Sequence, residues 1–442
     1  MSQTRQRTRL DASSTAEDVR EWVREEFAAH DTSKQAYYHD SGGSFDLDQQ
    51  GNRHHDGESI YKHFGAKPFW KVLERVQETN HPAYRYPSAY LNALIHVSDA
   101  DIWALERGDL DRFADAPESR QRVMEWLAQP EHRDILDAMD DGGIGWHAHS
   151  KPGKGKTSAA NFLAGARMTE INNETVLWQL TLDECEILPL APYVTLAMPE
   201  GVDVRMESVP RDDRLPRVEI EPEDVFRDTL TYTDPIDLLE QTCPGAIYGV
   251  LPDPKFRRCE RLVEASFTSA WEADDTEENT DLVEWMHGLV HARAKKDVTL
   301  HPTTAVIDEA GDMLPIRPEN DANDTKTKVK GFAEAFGKAR KKNLSCVFMS
   351  HSLATFEETV REKERLWMTM PETPTPSGRL TGLPDDVPII GNYASRLDKG
   401  QAVIWNSMNF VDIEWPNPYR TYGFEGEISI SYPEREVALD AL

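Results

Sequence analysis

Ser150-Lys151-Pro152-Gly153-Lys154-Gly155-Lys156-Thr157 is the stretch on which the reading of this chain turns. It follows the spacing G-x-x-x-x-G-K-[ST] of a phosphate-binding loop, with Ser150 at the place of the first glycine. Gly153 and Gly155 let the backbone curl until successive N–H groups point into one anion-sized concavity. Lys156 can then reach the β- and γ-phosphates of a nucleotide, and the Thr157 hydroxyl can ligate Mg²⁺. The expected nucleotide-binding segment runs from Ser150 through Ser158. Upstream, Ile144 to His149 alternates as a short strand does. Downstream, Thr157 to Met168 is rich in Ala and Leu and is expected to be a helix, whose N-terminal dipole favours phosphate. The plain alternative is a Gly/Lys surface turn, which leaves that strand–loop–helix context as coincidence.

A phosphate loop needs a distant carboxylate for its metal. Thr303-Thr304-Ala305-Val306-Ile307-Asp308-Glu309-Ala310 supplies one. An apolar run ending in Asp-Glu places Asp308 at the carboxyl end of a buried parallel strand, where it can hold the Mg²⁺ shell. Glu309 then faces the γ-phosphate and can polarise an attacking water as general base. Further on, Cys346-Val347-Phe348-Met349 reads as a strand ending in Ser350-His351. That polar pair could sense the γ-phosphate; the plainer role is a strand-end cap. His147 and His149 share one side of their strand, a spacing that also suits a metal pair. No third ligand is identifiable, so strand packing is the better reading.

Composition bounds the rest. The 442 residues suffice for two or three domains and a large core. Net charge is −29, from 78 acidic against 49 basic residues, spread along the whole length, and Arg outnumbers Lys. Such chains fit a cytoplasm of multimolar salt, where surface carboxylates hold hydration and self-repulsion is screened. A haloarchaeon, or its virus or plasmid, is the expected source; an ordinary acidic bacterial protein is the alternative. Cys185, Cys243, Cys259 and Cys346 show no C-x-x-C spacing and read as isolated thiols of a reducing compartment. No signal pattern opens the chain, and no apolar stretch approaches the ~18 residues of a membrane span. A soluble, cytoplasmic protein is expected.

Three segments are anticipated. Residues 1–140 form a mainly helical N-terminal domain with a disordered start. Its first helix follows the Ser13/Ser14 caps and carries Val19, Trp22, Val23 and Phe27 on one face. A polar loop over 39–57 contains His54 and His55, with no metal partner at a matching spacing. Residues 141–420 alternate short apolar runs with helical segments, the pattern of an α/β domain with a largely parallel sheet. Expected strands are Gly143–His149, Thr175–Thr181, Tyr193–Ala197, Ala246–Leu251, Thr303–Ile307 and Ser345–Met349. A closing hairpin pairs Gln401–Trp405 with Phe410–Glu414. Expected helices include Pro235–Gln241, Lys255–Trp271, Thr280–Lys295, Lys326–Lys342 and Leu353–Arg365. Residues 421–442 are set aside as a C-terminal tail.

The loop SKPGKGKT, the strand AVIDEAGDM, the segment GKARKKNLSCVFMSH and the late LDKGQAVIW together resemble the FtsK–HerA group of P-loop ATPases, over roughly residues 142–415. The resemblance implies a RecA-like P-loop NTPase fold and Mg²⁺-dependent ATP hydrolysis. It implies a hexameric ring acting as a DNA translocase, conjugation motor or viral packaging motor, with virion association in the last case. On the family pattern Lys156 and Thr157 bind phosphate and metal, Asp308 holds the metal, and Glu309 is the catalytic carboxylate. Many relatives carry Gln at the end of the sensor strand, where this chain has Ser350 and His351. Members complete each site with an arginine from the neighbouring subunit; Arg340 is the first candidate and Arg293 the second, and both could equally be surface charges.

A strongly acidic chain is a poor non-specific DNA binder, so local basic clusters matter more than the total. Lys326, Lys328 and Lys330 are the expected pore-facing DNA contacts, continued by Lys338, Arg340, Lys341 and Lys342. Arg257, Arg258 and Arg261 form a smaller cluster, better read as a solvated helix face. The N-terminal domain is expected to dock a protein partner. An assembly or secretion ATPase and a nucleotide switch are the rival readings.

Overall fold

The computed structural model describes residues 10–11, 13–28, 105, 108–114, 125, 128, 145–164, 174–182, 185–210, 212–267, 280–295, 301–339, 342–352, 356–362, 366–373, 397–405, 410–414 and 426–433. Most of the anticipated N-terminal domain, including His54 and His55, lies outside these residues.

The strands are β1 (Gly145–His149), β2 (Thr175–Gln179), β3 (Val194–Pro199), β4 (Arg205–Pro210), β5 (Val218–Glu219), β6 (Asp228–Tyr232), β7 (Ile247–Val250), β8 (Thr303–Ile307), β9 (Leu344–Ser350), β10 (Leu366–Thr369), β11 (Gln401–Trp405), β12 (Phe410–Glu414) and β13 (Gly426–Ser431). The helices are α1 (Ala16–Ala28), α2 (Lys156–Phe162), α3 (Pro235–Glu240), α4 (Cys259–Val263), α5 (Thr280–Val283), α6 (Trp285–Lys295), α7 (Ala310–Met313), α8 (Thr325–Ala339) and α9 (Glu358–Arg361).

Ten strands form one sheet in the order β12-β11-β10-β1-β9-β8-β2-β7-β3-β6. The eight from β10 to β6 are parallel, and β11 and β12 add antiparallel at one edge. Strands buried on both faces read as continuous apolar runs, which is why TTAVI and CVFM stood out in the sequence. Alternation along each strand splits the core in two. Trp146, Ala148, Val306, Val347 and Met349 face one side, with α2 and α1. Ala305, Ile307, Cys346 and Phe348 face the other, under α3, α4, α6 and α8. There Phe348 meets Phe332, Phe336 and Phe356 with ring centroids 5.2–6.1 Å apart. Burying each such ring contributes roughly 2–3 kcal/mol. The α/β expectation is met: a P-loop NTPase sheet, with helices on both faces.

The tertiary structure adds what period and propensity did not reveal. A second sheet, β13-β4-β5, is antiparallel. Its strand β13 comes from the segment set aside as a tail. β13 is anchored across the carboxyl end of the large sheet: the Ile430 N–H donates to the Leu182 carbonyl at 2.7 Å, and the Tyr432 hydroxyl to the Pro252 carbonyl at 2.7 Å. Helix α1 is capped by Thr15 with Asp18, one residue beyond the expected serines. It buries Val19 and Val23 against the same core, and Arg24 pairs with Asp224 at 3.0 Å. The segment 255–271 holds only the five-residue α4 within its described part. Arg258 and Glu264, both at positive φ, bracket that turn.

Candidate nucleotide site

β9 lies between β1 and β8, so the ends of three adjacent parallel strands bring the phosphate loop, the Ser350–His351 pair and the Asp308–Glu309 pair together. The Ser150 N–H donates to the Ser350 carbonyl at 3.2 Å and fixes the loop's first residue. Ser150 is not among the residues at positive φ, so a side chain costs nothing there and the substituted first glycine is explained. Gly153 and Gly155 are different: φ is +74° and +100°, in the left-handed region where only glycine is free of strain. The loop then enters α2 at Lys156. Outside the ring of the loop, Lys154 pairs with Glu372 just past β10.

Lys156 is buried, and its Nζ lies 3.3 Å from the Ser350 carbonyl, 3.5 Å from the Ser150 carbonyl and 3.1 Å from His351 Nδ1. Burial holds its pKa below the usual lysine value; Asp308 and Glu309 oppose that shift from a distance. Asp308 is pushed the other way. Burial raises its carboxyl above the ordinary value, although the Glu309 N–H donates to its Oδ1 at 2.9 Å. Glu309 sits at φ +46°, a strained turn costing about 1 kcal/mol or more that reverses the chain after β8.

His351 joins the two halves. Its Nε2 lies 3.2 Å from Glu309 Oε1 while Nδ1 faces Lys156. An ammonium beside Nδ1 favours the tautomer with its proton on Nε2, which then donates to Glu309. Both side chains are nearly half exposed, so this contact is worth little as stability and matters as position. Ser350 faces elsewhere. Its hydroxyl lies 2.6 Å from His147 Nε2, on the sheet face below, where His147 packs edge-on against Phe356. The Ser350 side chain is thus turned away from the phosphate loop, and of the pair His351 is the one that lines the cavity. His147 and His149 are both buried in the sheet, as strand packing requires.

The cavity has a volume of about 670 Å³. Every residue from Ser150 to Ser158 lines it, with Asp308, Glu309 and His351. So do Thr181, Cys185, Glu186 and Leu188 beyond β2, Lys399 before β11, and Glu427 and Ile428 of β13. Sequence reasoning missed all seven. For Glu186 a signal existed, an acidic residue just past a buried strand; for Glu427 none did, because its strand was not recognised. Cys185 is no nucleophile: burial first, then Glu186, push its thiol far up.

The donor set fits a hard cation. Thr157 and Asp308 offer oxygen, and no group of three or more His, Cys, Asp or Glu able to hold a metal converges among the described residues. That suits Mg²⁺, which takes one or two protein oxygens and completes its shell with phosphate and water.

Expectations for some basic residues need correction. Lys328 is fully buried, paired with Glu284, and lies 4.1 Å above the Phe267 ring, so it cannot touch DNA. Lys326 and Lys330 are exposed on α8. Arg293 is buried and donates to the His301 carbonyl at 3.0 Å, which removes it as an arginine for a neighbour's site. Arg340 lies outside the described residues. Arg257 and Arg258 precede α4 and are held in ion pairs with Asp253 and Asp234, rather than standing on a solvated helix face as expected. Among the described residues no helix is long and apolar enough to cross a membrane.

No family model and no curated protein matches the chain. Among solved structures it is similar to the genome packaging NTPase B204 of Sulfolobus turreted icosahedral virus 2 in complex with ATP-gammaS. Identity there is 9%, over 62% of this chain and 97% of that chain, with a TM-score of 0.33. It is similar to VirB4 of Thermoanaerobacter pseudethanolicus at 11% identity, over 62% and 89% of the two chains, with a TM-score of 0.37. The N-terminal domain of zonular occludens toxin from Neisseria meningitidis matches at 10% identity, over 64% and 99%, with a TM-score of 0.29. At such identities and scores nothing about this chain's chemistry follows from them, and its site is a P-loop nucleotide site on its own geometry.

Proposed function

We propose that this chain hydrolyses ATP with Mg²⁺ and spends the energy on moving DNA, as a translocase or genome-packaging motor working in a ring, hexameric on the family pattern. One observation carries the ATPase reading: a buried ammonium, Lys156, faces the cavity among two carbonyls and a histidine nitrogen, while Glu309 stands at the other edge of the His351 ring. A phosphate chain supplies the missing anion, and a carboxylate beyond it supplies a base.

Thr157 and Asp308 would hold Mg²⁺, which when bound offsets the charge on the β- and γ-phosphates. The loop N–H groups and Lys156 bind and orient those phosphates. Glu309 holds the attacking water in line with the γ-phosphorus and accepts its proton. His351, touching both Lys156 and Glu309, registers whether the γ-phosphate is present. Ser350 supports this from behind through its carbonyl. Arg340, from a neighbouring subunit, would stabilise charge on the transferring phosphoryl group; Arg340→Ala should impair turnover only in the assembled ring.

DNA as the cargo rests on the sequence resemblance and on exposed Lys326 and Lys330. The net charge of −29 supports a salt-rich setting, a haloarchaeal virus or plasmid, with the protein cytoplasmic or virion-associated. The test is phosphate release in multimolar KCl with and without double-stranded DNA, alongside oligomer size. Stimulation by DNA in a ring-sized species is the expected result. Turnover indifferent to any duplex would overturn the DNA motor and favour an assembly or secretion ATPase.

A further inference from the structure

Resting on the nucleotide-site reading above, we propose that Lys399 is a second phosphate-binding cation of this site, reaching the β- and γ-phosphates from the side opposite Asp308 and Glu309. It lines the same cavity as the whole phosphate loop, although it comes from the turn before β11.

Topology brings it there. β11 runs antiparallel to β10, which is parallel to β1, so the turn before β11 lies at the same sheet end as the phosphate loop. In the order β11-β10-β1-β9-β8-β2 the loop after β1 is central: Lys399 arrives from one side, Asp308 and Glu309 from the other. The four carboxylates that line the cavity all belong to that second side. They stand at the end of β8, on the loop after β2, and on β13, which the Ile430 N–H ties to the Leu182 carbonyl of that loop at 2.7 Å. The cavity is thus polarised, with lysines on the loop and the β11 turn facing carboxylates across it. A triphosphate settles along the cationic wall while its metal faces the acids.

The turn fixes the backbone and leaves the ammonium free to reach. The Gln401 N–H donates to the Asp398 carbonyl at 3.1 Å, the Asp398 N–H to Gln401 Oε1 at 3.1 Å, and Gly400 takes φ +97°. Lys399 is exposed and makes no ion pair among the described residues, and Asp398 beside it does not line the cavity. Lys154 on the loop is already engaged by Glu372. Of these two lysines, Lys399 is the one open to a phosphate, and a flexible four-carbon stem suits a point charge brought to an anion.

Two measurements on the full chain test this. Binding of AMP, ADP and a non-hydrolysable ATP analogue, with Mg²⁺, is compared for wild type, Lys399→Met and Lys399→Arg. Lys399→Met should weaken ADP and the analogue roughly tenfold and AMP less than twofold, the scale of one charge-assisted hydrogen bond. Lys399→Arg keeps the charge and should recover most of the loss. Equal weakening of all three ligands, or none, would overturn the proposal. The second measurement needs no variant: acetylation of wild type by an amine-reactive reagent, read residue by residue by mass spectrometry. Saturating analogue should slow modification of Lys399 at least threefold and leave exposed Lys326 unchanged. An unchanged rate at Lys399 would overturn the proposal alone, with nucleotide binding intact. Wild type that binds no analogue at all would overturn the nucleotide-site reading with it.

Discussion

Two buried lysines show what separates a working part from a structural one. Lys328 on α8 carries its own answer: Glu284 neutralises it, and Phe267 receives its charge on a ring face. Lys156 has two carbonyls and a histidine nitrogen as its partners, and no ion pair among the described residues. A buried charge without a counter-ion is costly, and burial alone depresses its pKa. The fold tolerates that cost at the phosphate loop because the missing anion arrives with the ligand. In the sequence both were read as contacts to phosphate, Lys156 to a nucleotide and Lys328 to DNA.

Removing each charge should therefore do opposite things. Lys156→Met should cut nucleotide turnover by about 10²–10³-fold, the scale of losing one preorganised donor to developing charge. It should leave the thermal midpoint unchanged or slightly raised, since an unpaired buried charge is removed. A comparable loss of stability would break the contrast. Lys328→Met should break the buried pair with Glu284 and cost about 3 kcal/mol of stability by denaturant titration. Replacing Glu284 with Leu in the same chain should recover most of it, and failure to do so would mean that Lys328 acts through packing alone.

The neighbourhood of Lys328 also sets a pH response. Burial, then Lys328 and His291, pull His287 down to about 3, while its Nε2 lies 3.2 Å from the Met313 carbonyl. Its folded pKa lies below its unfolded value near 6.5, so the unfolded chain binds the extra proton between those limits. The contribution is full above pH ~6.5 and is lost as pH falls toward 3. Between pH 7.5 and pH 5 that amounts to about 2 kcal/mol. His287→Gln keeps a donor for Met313 and should flatten the fall; an unchanged pH profile would remove His287 as its cause. The smallest effect belongs to exposed Lys326 and Lys330. Each changed to Ala should lower the slope of log affinity for DNA against log salt by about 1 or less, with turnover in the absence of DNA unaffected.

The parts of the fold and site that were legible were those tied to short-range pattern. Five of the six expected strands carry the sheet between β1 and β7 with ends within two residues, because a parallel strand buried on both faces is a continuous apolar run. The sixth, Tyr193–Ala197, became β3 and extends to Pro199. The loop, Asp308, Glu309 and His351 converge because each follows such a strand. What stayed hidden depends on partners far along the chain. β6, DTLTY, alternates weakly and lies at the sheet edge, and β10, LWMT, is four residues long. β13 was read as tail because GEISIS gains its meaning only from pairing with β4. Ser350 and His351 are neighbours in sequence, yet the pleat sends one to His147 and the other to Lys156 and Glu309. Lys328 reads as part of a basic cluster until its helical phase is known, when it falls on the core side beside Val329 and Phe332.

The account stands or falls on Glu309 as the base across the cavity from Lys156. Phosphate release from Mg·ATP in multimolar KCl, for wild type beside Glu309→Gln at saturating nucleotide, tests it most directly. Wild type should turn over steadily, and the variant should bind nucleotide yet release phosphate about 10²–10⁴-fold more slowly. Equal rates in the two proteins would contradict it.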